Sequence, residues 1–158
     1  MILYFAPLEG VTDAVFRRIH HECFPGVSKY FIPFISPTQN LAFTSRDWAA
    51  IAPENNIGVP AVPQLLAKDA SLFLWAAQAL CDMGYPEVNL NLGCPSGTVT
   101  AKGKGSGLLA DVPALERLLD GIFEKPPIPV SIKTRIGYAR AEEWDRLLDV
   151  FARYPIHE

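Results

Sequence analysis

The sequence predicts an α/β fold, a partial (β/α)8 TIM barrel of about the first five β/α units, and two observations lead there. Short apolar runs alternate with amphipathic stretches about five times along the 158 residues, the pattern of a parallel sheet with right-handed crossovers. Polar residues also recur near the ends of successive predicted strands: Gln64 on the third, Asn89 and Asn91 on the fourth, Ser131, Lys133 and Arg135 at the fifth. Within the fourth and fifth strands they share one parity and so point to one face. In a closed apolar core such groups would be costly unless hydrogen-bonded. At the C-terminal ends of strands they match the face where barrel enzymes build their active sites. The competing architecture, an open doubly wound sheet, is weakened because no GxGxxG follows the first strand and no P-loop occurs.

Residues 2–6 (ILYFA) form the first predicted strand. A helix follows that Thr12 can cap, with Val15, Phe16 and Ile19 on its apolar side. Residues 29–35 form the second strand, residues 41–51 a weak helix, and residues 59–65 the third strand. Asp69 caps a helix with Leu72, Trp75, Ala76, Ala79, Leu80 and Met83 at helical spacing and Gly84 as its stop. Residues 87–92 are the fourth strand. Asp111 caps a helix carrying Leu115, Leu118, Leu119 and Ile122, and residues 129–133 are the fifth strand. A last helix over 142–152 puts Trp144, Leu147, Leu148 and Phe151 on one face. Five units fall short of eight, and the chain reaches YPIHE where a sixth strand is due. The expectation is a fragment, or a sheet completed by another chain, because the last edge would otherwise expose unpaired backbone.

With 49% apolar and 20% charged residues and a net charge of −3, the composition is that of a globular chain without a global basic field. Any nucleic-acid contact must rest on local positive charge. Cys23, Cys81 and Cys94 form no CxxC pair, which predicts neither zinc nor a disulfide framework and suits a reducing compartment. The opening MILYFAPLEG lacks a basic n-region, and no apolar run approaches the ~18 residues of a membrane span. A cytoplasmic protein with no membrane and no metal is expected.

The segment EVNLNLGCPSGTVTAKGKGSGLL carries the most chemistry. Asn91, Gly93, Cys94 and Pro95 stand where the fourth strand enters its loop. The loop to Gly107 has four glycines, plus Lys102 and Lys104, and no acidic residue occurs between Val88 and Ala110. Such a loop suits closure over an anionic substrate, although its glycines also suit a plain flexible linker. Lone cysteines are usually small buried hydrophobes, the reading for Cys81 and Cys23. Cys94, in a loop after a polar strand end, is a candidate for chemistry.

Three ordered motifs then decide the matter. APLEGVTDAVFRR resembles the APMxGxTDxxFR opening of the FMN-dependent tRNA-dihydrouridine synthases, NLNLGCPSGTVTAKGKGSGLL resembles their NxGCP signature, and PVSIKTRIG resembles their VxxKxRxG segment. The resemblance covers essentially the whole chain but only about the first half of the family's usual length. It implies that Pro7, Leu8 and Glu9 line FMN, that Gln64 hydrogen-bonds the flavin ring, and that Lys133 lies near its N1–C2 edge. Asn91 is implied close to the substrate uracil, with a turn-capping amide as the alternative. Lys102 and Lys104 become candidate phosphate contacts and Arg135 a flavin or RNA contact, each with a solvated surface as the alternative.

By the same resemblance NADPH reduces FMN, hydride passes to uridine C6 in tRNA, and Cys94 protonates C5. A thiol, with an ordinary pKa of ~8.5, carries its proton at neutral pH and tolerates a dry pocket better than a carboxylate. The resemblance leaves out the later barrel units and the family's C-terminal helical domain that grips tRNA. This implies that the 158 residues alone hold FMN poorly and modify tRNA little or not at all. The rivals are a dihydroorotate or dihydropyrimidine dehydrogenase, which would have no use for a lysine-bearing loop, and an inactive half-barrel that self-associates through its incomplete sheet.

Overall fold

Pro63 divides the third predicted strand in two, and the sheet turns on that break. The computed structural model describes residues 1–158. β1 (Tyr4–Phe5), β2 (Lys29–Phe31) and β3 (Ala61–Val62) form one parallel set; β4 (Gln64–Leu65), β5 (Val88–Asn91) and β6 (Val130–Lys133) form another. Proline has no N–H to donate to a ladder. Here Val62 C=O still accepts from Ile32 N–H (2.9 Å), whereas Pro63 C=O accepts from Asn89 N–H (2.8 Å). The chain thus hands its pairing from β2 to β5 within two residues, and an Ile35–Leu65 bridge spans the seam.

The ends of this strand order converge. Residues 157–158 run beside β6, with His157 N–H donating to Val130 C=O (2.9 Å) and Ile132 N–H to Glu158 C=O (2.8 Å). The Glu158 carboxylate accepts from Tyr4 Oη (2.6 Å) on β1 and from Lys29 Nζ (2.8 Å) on β2. A sheet whose last neighbour touches its first two strands is strongly curved.

The helices are α1 (Ala14–Cys23), α2 (Ser45–Ile51), α3 (Ala70–Asp82), α4 (Gly97–Thr100), α5 (Val112–Glu124) and α6 (Trp144–Phe151). Asp69 and Asp111 cap α3 and α5 as expected, accepting from Leu72 N–H and Ala114 N–H. Leu115, Leu118, Leu119 and Ile122 of α5 are buried in one hydrophobic core with Val88, Leu90 and Val130 of the strands, each contributing roughly 1.5–3 kcal/mol. Gly121 lets α5 approach α3, because a Cβ there would stand 2.6 Å from Ala70 Cβ.

Several local expectations are corrected. Asp13, not Thr12, caps α1, accepting from Phe16 N–H. Val15 and Ile19 are exposed and the buried residue of that helix is Arg17. α3 buries Phe73, Ala76, Ala77 and Leu80, a stripe rotated from the expected one. On α6, Leu148 is exposed and Val150 buried. Cys23 is exposed and Cys81 half-buried, so neither is the enclosed hydrophobe expected.

Candidate active site

Across β4, β5 and β6 the same-parity polar side chains form one hydrogen-bonded chain that ends on Asn91, the last residue of β5. Gln64 Nε2 donates to Asn89 Oδ1 (2.7 Å), Asn89 Nδ2 to Ser131 Oγ (2.8 Å), and Asn91 Nδ2 to Gln64 Oε1 (2.7 Å). All four side chains are buried, so the network satisfies groups that would each cost about 1–3 kcal/mol if left unpaired. The register Gln64↔Asn89↔Ser131 puts three of them in one row across the sheet.

Asn91 carries this network into the thiol loop. Its Oδ1 accepts from Gly93 N–H (3.1 Å) and Cys94 N–H (2.9 Å), an Asx-type turn that aims the chain as it leaves the strand. From the other side, Ser106 donates to Cys94 C=O through both N–H and Oγ, each at 3.0 Å. Gly105 makes this return possible. At φ +56° its missing Cβ would stand 2.8 Å from Cys94 O, a position only glycine occupies without strain. The glycine-rich segment is therefore not a loose linker: it contains α4 and a 3-10 turn, with Gly105 and Ser106 buried beneath Cys94.

The half-buried Cys94 borders a cavity of about 290 Å³ together with Pro7, Leu8, Glu9, Gln64, Asn91 and Lys133. Seven of the ten residues singled out in the sequence thus meet in one pocket. Lys102, Lys104 and Arg135 do not line it. Arg135 is exposed, and Lys104 Nζ instead donates to Ser36 Oγ at 2.6 Å. Lys133 takes part in none of the chain's five ion pairs, so no carboxylate neutralises it. It also lines an adjoining cavity of about 260 Å³ inside the curved sheet, with Ala6, Phe31 and Ser131.

Sequence reasoning missed Pro33 and Phe34, which complete the pocket wall. The signal was Pro33 itself, which ends pairing inside what reads as a strand. It also missed Arg17, the support of the Pro7–Glu9 segment. Leu8 N–H donates to Thr12 Oγ1 (2.9 Å), and Arg17 Nη1 donates to Thr12 C=O (2.8 Å). Arg17 Nη2 reaches Ala50 C=O (3.0 Å) and Asn56 Oδ1 (2.7 Å). Burial pulls the pKa of this guanidinium down, yet arginine keeps its charge.

No cluster of three or more His, Cys, Asp or Glu that could hold a metal ion exists, and no helix is long and apolar enough to cross a membrane. The profile of the family described as dihydrouridine synthase (Dus) matches residues 4–153. A probable tRNA-dihydrouridine synthase of Staphylococcus epidermidis is 32% identical over 158 residues, covering 92% of this chain and 45% of its own length. The tRNA-dihydrouridine synthase B of Vibrio vulnificus is 31% identical over 137 residues, covering 86% and 41%. The chain thus spans less than half the length of these curated relatives. With a profile match across nearly all of it, the chain belongs to the dihydrouridine synthase family.

Proposed function

We propose that residues 1–158 are the N-terminal part of the FMN-binding TIM barrel of a tRNA-dihydrouridine synthase, which uses NADPH to reduce the uridine C5=C6 bond in tRNA. One observation carries the reading: Cys94, Asn91, Gln64, Lys133 and Pro7–Glu9 line a single pocket at the C-terminal strand ends. Their chemistry fits a flavin. Gln64 uses one N–H and accepts one hydrogen bond within the amide chain, leaving a second donor and lone pair for a ring edge. Lys133 offers an unneutralised ammonium, suited to an anionic ring.

When bound, FMN reduced by NADPH supplies the hydride chemistry; the chain's own residues manage binding and the proton. The substrate uridine must leave its stack to enter the pocket. Reduction of its enone-like ring leaves negative charge at C5 and O4, and Cys94 Sγ holds the proton that C5 takes up. Asn91, gripping the N–H groups of Gly93 and Cys94, keeps that thiol in place.

Two experiments test this. With FMN in excess, alkylation of Cys94 is expected to slow while that of the exposed Cys23 continues. In a full-length synthase carrying these 158 residues, unmodified tRNA with FMN and NADPH should gain two hydrogens per target uridine. Cys94→Ala should slow that gain by about 10²–10⁴-fold, whereas the 158 residues alone should reduce tRNA little or not at all. Oxidation of free dihydropyrimidines in place of tRNA reduction would support the dehydrogenase reading. The 158 residues alone are expected to hold FMN weakly, because barrel enzymes frequently seat the phosphate beyond strands seven and eight. Copurification of stoichiometric FMN would overturn that last point.

A further inference from the structure

At the pole opposite Cys94, one buried oxygen has nothing to bond. Glu87, the residue before β5, is 4% exposed. It shares the parity of Asn89 and Asn91, so its side chain points to the same inner face of the sheet. Its Oε2 takes the Lys29 ammonium at 2.5 Å and stands 3.9 Å from His157 Nε2. Its Oε1 is buried and has no hydrogen-bond partner. A buried acceptor without a donor is costly, a charged one most of all, and native folds keep few such groups. The local charge points the same way. Glu87 and Glu158 share the one ammonium of Lys29, so the cluster keeps an excess of negative charge that favours a cation.

The same carboxylate borders a cavity of about 410 Å³, bounded by the N-terminal ends of β2 and β3 and the loop entering β5. Its walls are largely apolar, with Pro53, Val59, Pro60, Met83 and Pro86 among them. They are also held in place. Tyr85 Oη donates to Ile51 C=O (2.7 Å) and accepts from Asn56 Nδ2 (3.3 Å), which ties the 3-10 turn Pro53–Asn56 to the loop before β5. All the lining residues lie between Ser28 and Glu87. With no group of three acidic, histidine or cysteine side chains to hold a metal ion, the fitting ligand is an organic cation. It needs an N–H for the lone oxygen and an apolar body for the walls. We propose that this cavity binds a small primary alkylammonium ion, its N–H on Glu87 Oε1 and its carbon chain against the prolines. The site is independent of the synthase reading and of the Cys94 pocket.

The probe is n-butylammonium chloride, titrated into the isotope-labelled full chain in potassium phosphate buffer and followed by amide NMR shifts. Shifts should centre on Gly84, Tyr85 and Glu87. Affinity should rise about three- to fourfold for each methylene group added from ethyl- to n-butylammonium. Tetramethylammonium, charged but without an N–H, and neutral n-butanol should each bind about tenfold more weakly. Glu87→Gln keeps the shape of the side chain and removes its charge, while Lys29 retains Glu158. It should weaken n-butylammonium about tenfold or more. Glu116→Gln, at the exposed pair with Arg153, should leave binding unchanged. Absence of shifts at these amides, equal affinity for tetramethylammonium, or an equal loss with Glu116→Gln overturns the proposal. The comparison of ligands on the unaltered chain decides the matter even where Glu87→Gln folds poorly.

Discussion

The two ends of the curved sheet treat their polar residues in opposite ways. At the N-terminal end Lys29 is held by Glu87 (2.5 Å) and Glu158 (2.8 Å), and Glu158 also accepts from Tyr4. Charge there is consumed in joining β1, β2, β5 and the segment beside β6. At the C-terminal end Asn91 bonds the Gln64 amide, while the Lys133 ammonium and the Cys94 thiol face an open cavity. Strands of one sheet therefore carry a closing lock at one end and unspoken-for chemistry at the other. The contrast separates residues that hold the fold from residues free to act, as expected for barrels.

Perturbing each end should divide activity from stability. The largest effect is expected from Cys94→Ala: loss of a general acid lowers tRNA reduction by about 10²–10⁴-fold, while the denaturant midpoint barely moves. If stability fell instead, the thiol would belong to the structural group. Glu87→Ala should act the other way, costing about 2 kcal/mol in urea unfolding through loss of a charged hydrogen bond, less than a fully buried pair because Lys29 keeps Glu158, with Cys94 alkylation unchanged. Asn89→Ala, which removes the middle of the amide chain, should cost about 2 kcal/mol by the same measurement. It is the variant in which the two classes overlap, because Asn91 is two residues away.

The smallest effect concerns pH. Hydrogen bonds from Lys29, then Tyr4, hold the Glu158 carboxyl below its ordinary range. Its contribution is present above that ordinary range and disappears as pH falls through the lowered folded value. Burial opposes the Lys29 charge, but hydrogen bonds to Glu158 and Glu87 leave its pKa raised overall. That contribution is full below the ordinary lysine value and fades as pH rises through the raised one. Glu158→Gln should therefore flatten the acid limb of a melting-temperature profile between the two values for Glu158. An unaltered limb would mean the contact closes nothing.

Features set by a few consecutive residues were legible in the sequence. Asp69 and Asp111 are helix caps because a side chain and an amide three residues on suffice to make one. The shared parity of Asn89 with Asn91, and of Ser131 with Lys133, placed them on one face, and seven candidate site residues do meet. What failed depends on distant partners. Thr12 and Asp13 are equally good caps in isolation; Thr12 is taken by Leu8 and Arg17, so the helix starts one residue later. Arg17 carried no local sign of its role, because its acceptors on Ala50 and Asn56 lie 33 and 39 residues away.

Asn91 has one carboxamide and two allegiances: its nitrogen grips Gln64 and its oxygen grips the turn bearing the sulfur. The side chain proposed to sense the redox ring and the one proposed to release the proton are thus opposite arms of a single lever. Gln64→Leu, though it touches no atom of Cys94, should alter how fast that thiol is alkylated, while Cys23 reacts as before.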